Sequence, residues 1–325
     1  MTNSGTQDLK KRRPSAFWYG IKESAGLIFA LVLLLIVASF VSDRFFTVPN
    51  LLNVLRQVAI VGVLAFGQTF VILTAGIDLS VGAILGLTVV LLAGILETQS
   101  PMVAIPLGLL AATTAGLLNG IGVTYGRLPA FIMTLGTLSF IRGLAFIYTG
   151  GTPVPIINEG FYYIGNGYFL GVPIPALIMI ATLLVSAFVL KKTPFGRCVY
   201  GIGSNKDAAQ LSGVPVRRYT LLVYAISGLC AGIAGLMYAS QLSVGTPIAG
   251  QGYELDAIAA VVVGGTSLFG GRGSVIGTFI GTLIIGILAN VLNLAGVDPF
   301  VQQLFKGALI ILAVLIMSRS VARRS

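Results

Sequence analysis

Apolar runs long enough to cross a bilayer recur along this chain. They fall at 25–42, 51–73, 80–97, 102–124, 130–149, 173–190, 219–241, 252–268, 275–295 and 300–317, with polar segments between them. An α-helix rises 1.5 Å per residue, so about 20 apolar residues span the roughly 30 Å hydrocarbon core. Water is absent there, and each backbone N–H and C=O must find a partner within its own segment, which makes each run a helix. The pattern predicts an all-α, polytopic integral membrane protein of about ten transmembrane helices. The runs at 80–97, 173–190, 252–268 and 300–317 are short for a span. The first run exceeds the 7–15 residues of a signal-peptide core and ends in no small-residue cleavage site, so it reads as a retained span. Charged residues make up only 9% of the 325, against roughly a quarter in a soluble domain, so lipid is the solvent for much of the surface.

Charge orients the helices. Sixteen of the 20 Lys and Arg residues fall in alternate connecting segments and the two tails, whereas only Arg44 and Arg56 fall on the opposite side. Cytoplasmic segments retain cations, so the bias places both termini inside the cell. The expected organisation is a polar cytoplasmic tail over 1–24, a transmembrane domain over 25–317 and a cytoplasmic tail over 318–325. The net charge of +10 follows from this retention and does not point to nucleic acid.

Enzyme chemistry finds little support. The chain has no His, so the commonest general base and metal ligand are missing. Its two cysteines, Cys198 in a polar segment and Cys230 in an apolar run, differ in depth and read as unpaired. No G-x-x-x-x-G-K-[ST] phosphate loop occurs, so ATP is not expected to be bound here in that manner. No cofactor or metal is expected.

The longest polar interruption after the N-terminal tail is 191–218, which carries six cations and one acid, Asp207. Within it, 204–212 reads as a short helix. Ser204 or Asn205 is the N-cap, Asp207 sits in the first turn, and Gly213 and Pro215 stop it. Two readings stand side by side, a docking surface and an ordinary solvated loop.

Several features lie within the apolar runs. Gly82/Gly86, Gly116/Gly120, Gly228/Gly232 and Gly277/Gly281 recur at four-residue spacing, which lets helix backbones approach closely. Asp78 with Ser80 is placed to cap the third helix, and that role is favoured over direct contact with a transported solute. Arg142, Glu254, Asp256 and Lys306 lie in the outer half of the membrane. Arg142 calls for a carboxylate partner, Glu254 or Asp256, or a wet cavity, while Lys306 is near enough to the interface to snorkel outward. A faint echo between 76–82 and 265–271 links segments on the same side, so it is not an inverted repeat.

Gly203-x-Asn205-x-x-Ala208-Ala209-x-x-Ser212-Gly213-Val214 resembles the cytoplasmic coupling segment of permease subunits in the ribose/sugar branch of ABC importers. Three further strings match that branch: Thr74 to Gly82 (TAGIDLSVG), Gly252 to Thr266 (GYELDAIAAVVVGGT) and Asn293 to Val297 (NLAGV). The likeness runs in order from about residue 25 to about residue 317. It implies a ten-helix permease in the bacterial inner membrane that pairs with a second copy. It also implies a cytoplasmic ATPase that binds the ATP and docks on the coupling segment, and a periplasmic or lipid-anchored sugar-binding protein outside. The implied solute is a monosaccharide, ribose first. The coupling residues carried over are Gly203, Asn205, Ala208, Ala209, Ser212 and Gly213. The competing class is a secondary transporter driven by an ion gradient, for which Asp78 would be the inner titratable group.

Overall fold

The computed structural model describes residues 16–322, with side chains from residue 25 onward except at scattered positions after 308. The extreme tails, with the Lys10–Arg13 cluster, lie outside the described residues. Helix α1 (Ala16–Val41) starts nine residues before its apolar run. Next come α2 (Val48–Leu73), α3 (Val81–Leu96), α4 (Pro101–Thr124) and α5 (Ala130–Thr149). A short strand β1 (Val154–Pro155), helix α6 (Glu159–Asn166) and a hairpin, β2 (Tyr168–Phe169) with β3 (Val172–Pro173), lead into α7 (Ile174–Lys192). Two short helices follow, α8 (Pro194–Ser204) and α9 (Lys206–Leu211), and then α10 (Val216–Leu242) and strand β4 (Val244–Gly245). The described chain ends with α11 (Tyr253–Val263), α12 (Val275–Leu294) and α13 (Pro299–Ala322).

The fold is all-α apart from these two-residue strands, and ten of its helices coincide with the ten apolar runs. Among the described residues, α2, α4, α5, α7, α10 and α12 are long and apolar enough to cross a membrane. The expected run at 252–268 is broken. Helix α11 ends at Val263, and Gly264 and Gly265 turn the chain away, leaving eleven helical residues, or about 16 Å.

Helices α2 and α10 form the centre. They pack antiparallel, with Gly67 against Ser227 and Cys230, and Gly76 beneath Tyr224. Over its apolar stretch α2 is 78% buried, whereas α5 is 17% buried and presents Phe140, Ile147 and Phe131 outward to lipid. Around this centre the chain forms two similar units. In the first, α3 packs on α4, α5 and α10; in the second, α11 packs on α12, α13 and α2. Each short helix therefore leans on the long leading helix of the other unit. Likewise α4 runs antiparallel along α10, with Gly120, Gly116 and Ala112 facing Leu221, Gly228 and Gly232 in turn. Helix α12 runs antiparallel along α2 through Thr278 to Thr69, Thr282 to Gly62, and Asn290 to Asn50. The leading helices α2 and α10 point in opposite directions, so the two units are inverted with respect to each other. The faint 76–82/265–271 echo plays no part in this relation.

Glycine pairs serve several kinds of contact. Gly116 and Gly228 bring α4 and α10 together, and a Cβ on Gly116 would stand 3.0 Å from the Gly228 Cα. Gly277 and Gly281 face the backbone of α11 at Gly264 and Ala260. Gly82 and Gly86 differ from the expectation of helix pairing, because they admit the 246–252 loop and the heads of Glu254 and Arg142.

The connecting segments sort to two ends. Segments 74–80, 125–129, 193–215 and 264–274 meet at one, where Gly271 N donates to Leu73 O (3.0 Å) and Tyr200 Oη to Gly273 O (2.9 Å). Burial pushes the Tyr200 phenol above its ordinary value. At the opposite end β1 pairs with β4, bringing the 150–173 segment over the 243–252 loop. Helix α6 lies on the end of α10, where Ser240 Oγ donates to Phe161 O and accepts from Gly165 N (2.6 Å). Arg56 reaches into this layer, donating to Asn166 O (3.3 Å) and stacking 4.8 Å over the Tyr168 ring.

Candidate functional site

Three places hold the residues singled out from the sequence, and they lie at different depths.

The first is the cation-rich end. Asn205 caps α9 by accepting from Ala208 N (2.9 Å), and Gly213 ends it with φ +84, a conformation that costs a side chain strain. The short helix therefore forms where its caps place it. Its residues divide into two faces. Ala209 is buried with Ile202 and Val216, and Gly203 sits against Leu73 O and the Gly271 backbone, so neither is free for an outside partner. Lys206, Ala208, Ser212 and Gly213 are exposed, and Leu211 stands 90% exposed, an apolar knob beyond the membrane helices. Helix α8, which carries Gly203, was not foreseen. Thr193-Pro194 is its signal, since Thr193 Oγ1 accepts from Gly196 N (3.4 Å) and proline suits a first helical turn. Between α8/α9 and the 74–76 and 123–130 segments lies a cavity of about 680 Å³, whose lining includes Arg127, Lys206, Arg217 and Tyr224.

The second place is the loop before α3. Asp78 is fully buried, and it accepts from Ser80 N (3.0 Å), Ser80 Oγ (2.6 Å) and Ser227 Oγ (2.8 Å). Asn119 Nδ2 donates to Ser80 Oγ (2.8 Å), tying in α4. With its amide oriented to satisfy both groups, Gln68 of α2 donates to Asp78 O (3.2 Å) and accepts from Asp78 N (3.1 Å). The carboxylate takes up one free N–H at the α3 start, as a capping role requires. The Ser80 hydroxyl departs from that role: it turns back to Asp78 and caps nothing. Gln68, Asn119 and Ser227 were missed from sequence. Their signal was a polar side chain inside an apolar run, one from each of three helices.

The third place gathers the charges expected in the outer half, of which Glu254 lies deeper than expected, its carboxylate against Gly82 in the first turn of α3. Arg142 was expected to find a carboxylate partner, Glu254 or Asp256, or a wet cavity; neither carboxylate reaches it at ion-pair distance, although Glu254 is near enough to interact electrostatically. The Arg142 Nη1 donates instead to Pro247 O and Ala249 O, both at 2.7 Å, clamping the loop that precedes α11. A guanidinium with several donors holds two converging carbonyls well, and no carboxylate is needed. Nor does Lys306 snorkel freely, since its Nζ contacts Asp256 Oδ2 at 2.9 Å, the one ion pair among the described residues. Glu254 Oε1 accepts from Gly252 N (3.2 Å), while Oε2 is buried against Gly82 without a partner. Beside the ion pair is a second cavity, of about 390 Å³, reached by Gln241, Tyr238, Tyr253 and Asn293. Between the two cavities α2 is buried from Ile60 to Leu73 except at Val61.

Comparison with known proteins adds an independent line. The family described as branched-chain amino acid transport system / permease component matches residues 50–314. The ribose import permease protein of Bacillus subtilis is 47% identical over 314 residues, covering 96% of this chain and 98% of that protein. The ribose import permease protein of Escherichia coli is 43% identical over 304 residues, 91% of this chain and 94% of its own. The L-arabinose ABC transporter permease protein of Azospirillum brasilense is 36% identical, covering 94% and 90% respectively. No solved structure matches.

Proposed function

The chain belongs to the family of transport-system permease components, and from that premise we propose that it is the membrane subunit of an ATP-driven importer for a monosaccharide, ribose first. The observation that carries this is the near end-to-end similarity to ribose import permeases, with an arabinose permease further off. In this reading the chain crosses the bacterial inner membrane ten times, the short α11 completing its passage with the 246–252 loop before it, and both termini and the cation-rich end face the cytoplasm. Residues 25–317 form the transmembrane domain, with the tails outside it. A separate ATPase binds ATP and docks on the coupling segment, 191–218. The docking face is the exposed side of α9, namely Ala208, Leu211, Ser212 and Gly213. Asn205 shapes that face as the cap, while Gly203 and Ala209 seat it on the bundle. A sugar-binding protein meets the opposite end. With α2 buried along most of its length in each copy, the solute path is assigned to the contact between two copies.

This arrangement also gives docking a physical route inward. Gly203 presses on Leu73 O, and Gly270 lies against Ala75 N, so a shift of α8 and α9 meets the loop that leads to Asp78 without any intervening side chain. An ion-coupled transporter would instead need a titratable group open to the path. Asp78 is closed off and held by three donors, which argues against that alternative.

Uptake of labelled D-ribose into proteoliposomes is the test. Uptake should require ATP, the ATPase and the binding protein together. Uptake driven by a proton or sodium gradient with neither partner present would overturn the reading.

A further inference from the structure

We infer that the outer cavity beside the Asp256–Lys306 pair is a binding site for a neutral polyhydroxylated solute within a single copy of the permease. The inference rests on the importer reading and deepens it, since it places a solute contact away from the path between copies.

The cavity, about 390 Å³, falls in the roughly 300–1,000 Å³ range of small-molecule sites. Its walls come from the outer ends of α2, α10, α11, α12 and α13. Four observations select the ligand. The ionic groups lining it are one carboxylate and one ammonium already paired at 2.9 Å, so the cavity is neutral as a whole. A net-charged solute would gain no counter-charge there and would have to split the pair.

Second, its hydrogen-bonding groups are mixed and partly unused. Gln241 lines the cavity and its Oε1 is buried without a partner, so turning the amide toward the cavity would satisfy that acceptor with a solute donor. Lys306 Nζ gives one bond, to Asp256 Oδ2, and has two further protons. Asn293 Oδ1 accepts from Gln302 Nε2 (2.8 Å), which turns the Asn293 amide protons to other use. Hydroxyl groups both donate and accept, so a polyol satisfies acceptors and donors alike where an ion that only donates or only accepts would leave some bare. Third, Tyr238 and Tyr253 stand edge to face, with centroids 5.9 Å apart at 79°, and offer an apolar wall suited to the C–H face of a sugar ring. Fourth, Gln302 is itself fixed by donating to Val297 O (2.9 Å), so the polar groups are held in place before any solute arrives.

A small apolar lining position, Ala289, supplies the reporter. Ala289→Cys is made in the full-length chain carrying Cys198→Ser; Cys230 is buried. The rate of maleimide alkylation is then measured with D-ribose, with L-leucine and with neither. D-ribose should slow alkylation and L-leucine should not. Gln241→Leu should raise the ribose concentration for half-protection about fivefold, the loss of one neutral hydrogen bond, and Asp256→Leu with Lys306→Met about tenfold or more. Absence of ribose protection, equal protection by leucine, or protection unchanged in both variants would each overturn the site. ATP-driven uptake by the complete importer carrying Ala289→Cys is measured in parallel. Uptake without protection removes this site and keeps the importer reading; protection without ATP-driven uptake does the reverse.

Discussion

Two short helices, α3 and α11, occupy equivalent places in the two inverted units, and each begins beside carboxylates. At α3 the acid is Asp78, sealed at the cation-rich end and held entirely by neutral donors drawn from its own loop and α10. At α11 the acids are Glu254 and Asp256, one bonded to the backbone of its own turn and the other paired with a lysine at the edge of a cavity. A helix N-terminus favours negative charge at both, so the dipole does not separate them. What separates them is access. A sealed carboxylate with no cation must be satisfied locally, and here its own loop and α10 supply the three donors. A carboxylate beside a cavity can keep a mobile partner and leave hydrogen-bonding capacity for a solute. The same unit thus yields a sealed joint at one helix start and a polar wall open to a cavity at the other.

This contrast can be broken most sharply at Asp78. Replacing Asp78 by Ala strands the Ser80 and Ser227 donors in a dry interior, at about 1–3 kcal/mol for each unsatisfied group. Thermal unfolding in detergent should show a loss of about 3 kcal/mol or more, with Asp78→Asn retaining part of the stability. A smaller loss than that of Asp256→Ala would erase the distinction between the ends.

The outer pair should respond differently. The Lys306 side chain is 36% exposed, so after Asp256→Asn it can turn to water, and the cost should be only about 1–2 kcal/mol. Adding Lys306→Met should recover at least half of that loss. Strictly additive losses would mean that the two charges act independently.

Arg142 sharpens the comparison further, because its partners are carbonyls. Arg142→Met should cost about 1–2 kcal/mol by freeing Pro247 O and Ala249 O, with Arg142→Lys recovering part. Glu254→Gln should stay within about 1 kcal/mol, since no ion pair is lost. A larger effect of Glu254→Gln than of Arg142→Met would restore the carboxylate pairing expected from the sequence.

Those partners explain what the sequence could and could not disclose. Length and hydropathy suffice to find ten helices, since the bilayer imposes the same requirement on each. Asn205 and Gly213 were legible as the ends of α9 because capping is local chemistry. Arg142 was not, because its acceptors are the carbonyls of Pro247 and Ala249 and leave no mark in residue type. Lys306 and Asp256 lie 50 residues apart, and only packing of α13 on α11 joins them. The Asp78 joint draws on Gln68, Asn119 and Ser227, each an isolated polar residue in an apolar run. The inward face of Ala209 depends on Val216 across a turn. The inverted units are invisible for a similar reason: packing positions correspond, as Gly116 on Gly228 and Thr282 on Gly62, while residue types do not.

The smallest perturbations test which end faces which side. Glu159→Cys and Asp298→Cys should react with an impermeant thiol reagent from outside intact cells, and Lys206→Cys should not, with stability changed by less than about 0.5 kcal/mol in each. Outside labelling of Lys206→Cys would invert the assignment of the ends.

The central claim is that the cation-rich end is where a partner's ATP hydrolysis enters the bundle, and Leu211 tests it most directly. Its side chain is 90% exposed, unlike Ala209, whose replacement would disturb the Ile202–Val216 contact. The measurement is ATP-driven uptake by Leu211→Glu, alongside the amount of permease in the membrane and the ATPase that co-purifies with it. The permease should be unchanged in amount, little or no ATPase should co-purify, and uptake should fall to background. Wild-type uptake with undiminished co-purification would contradict it.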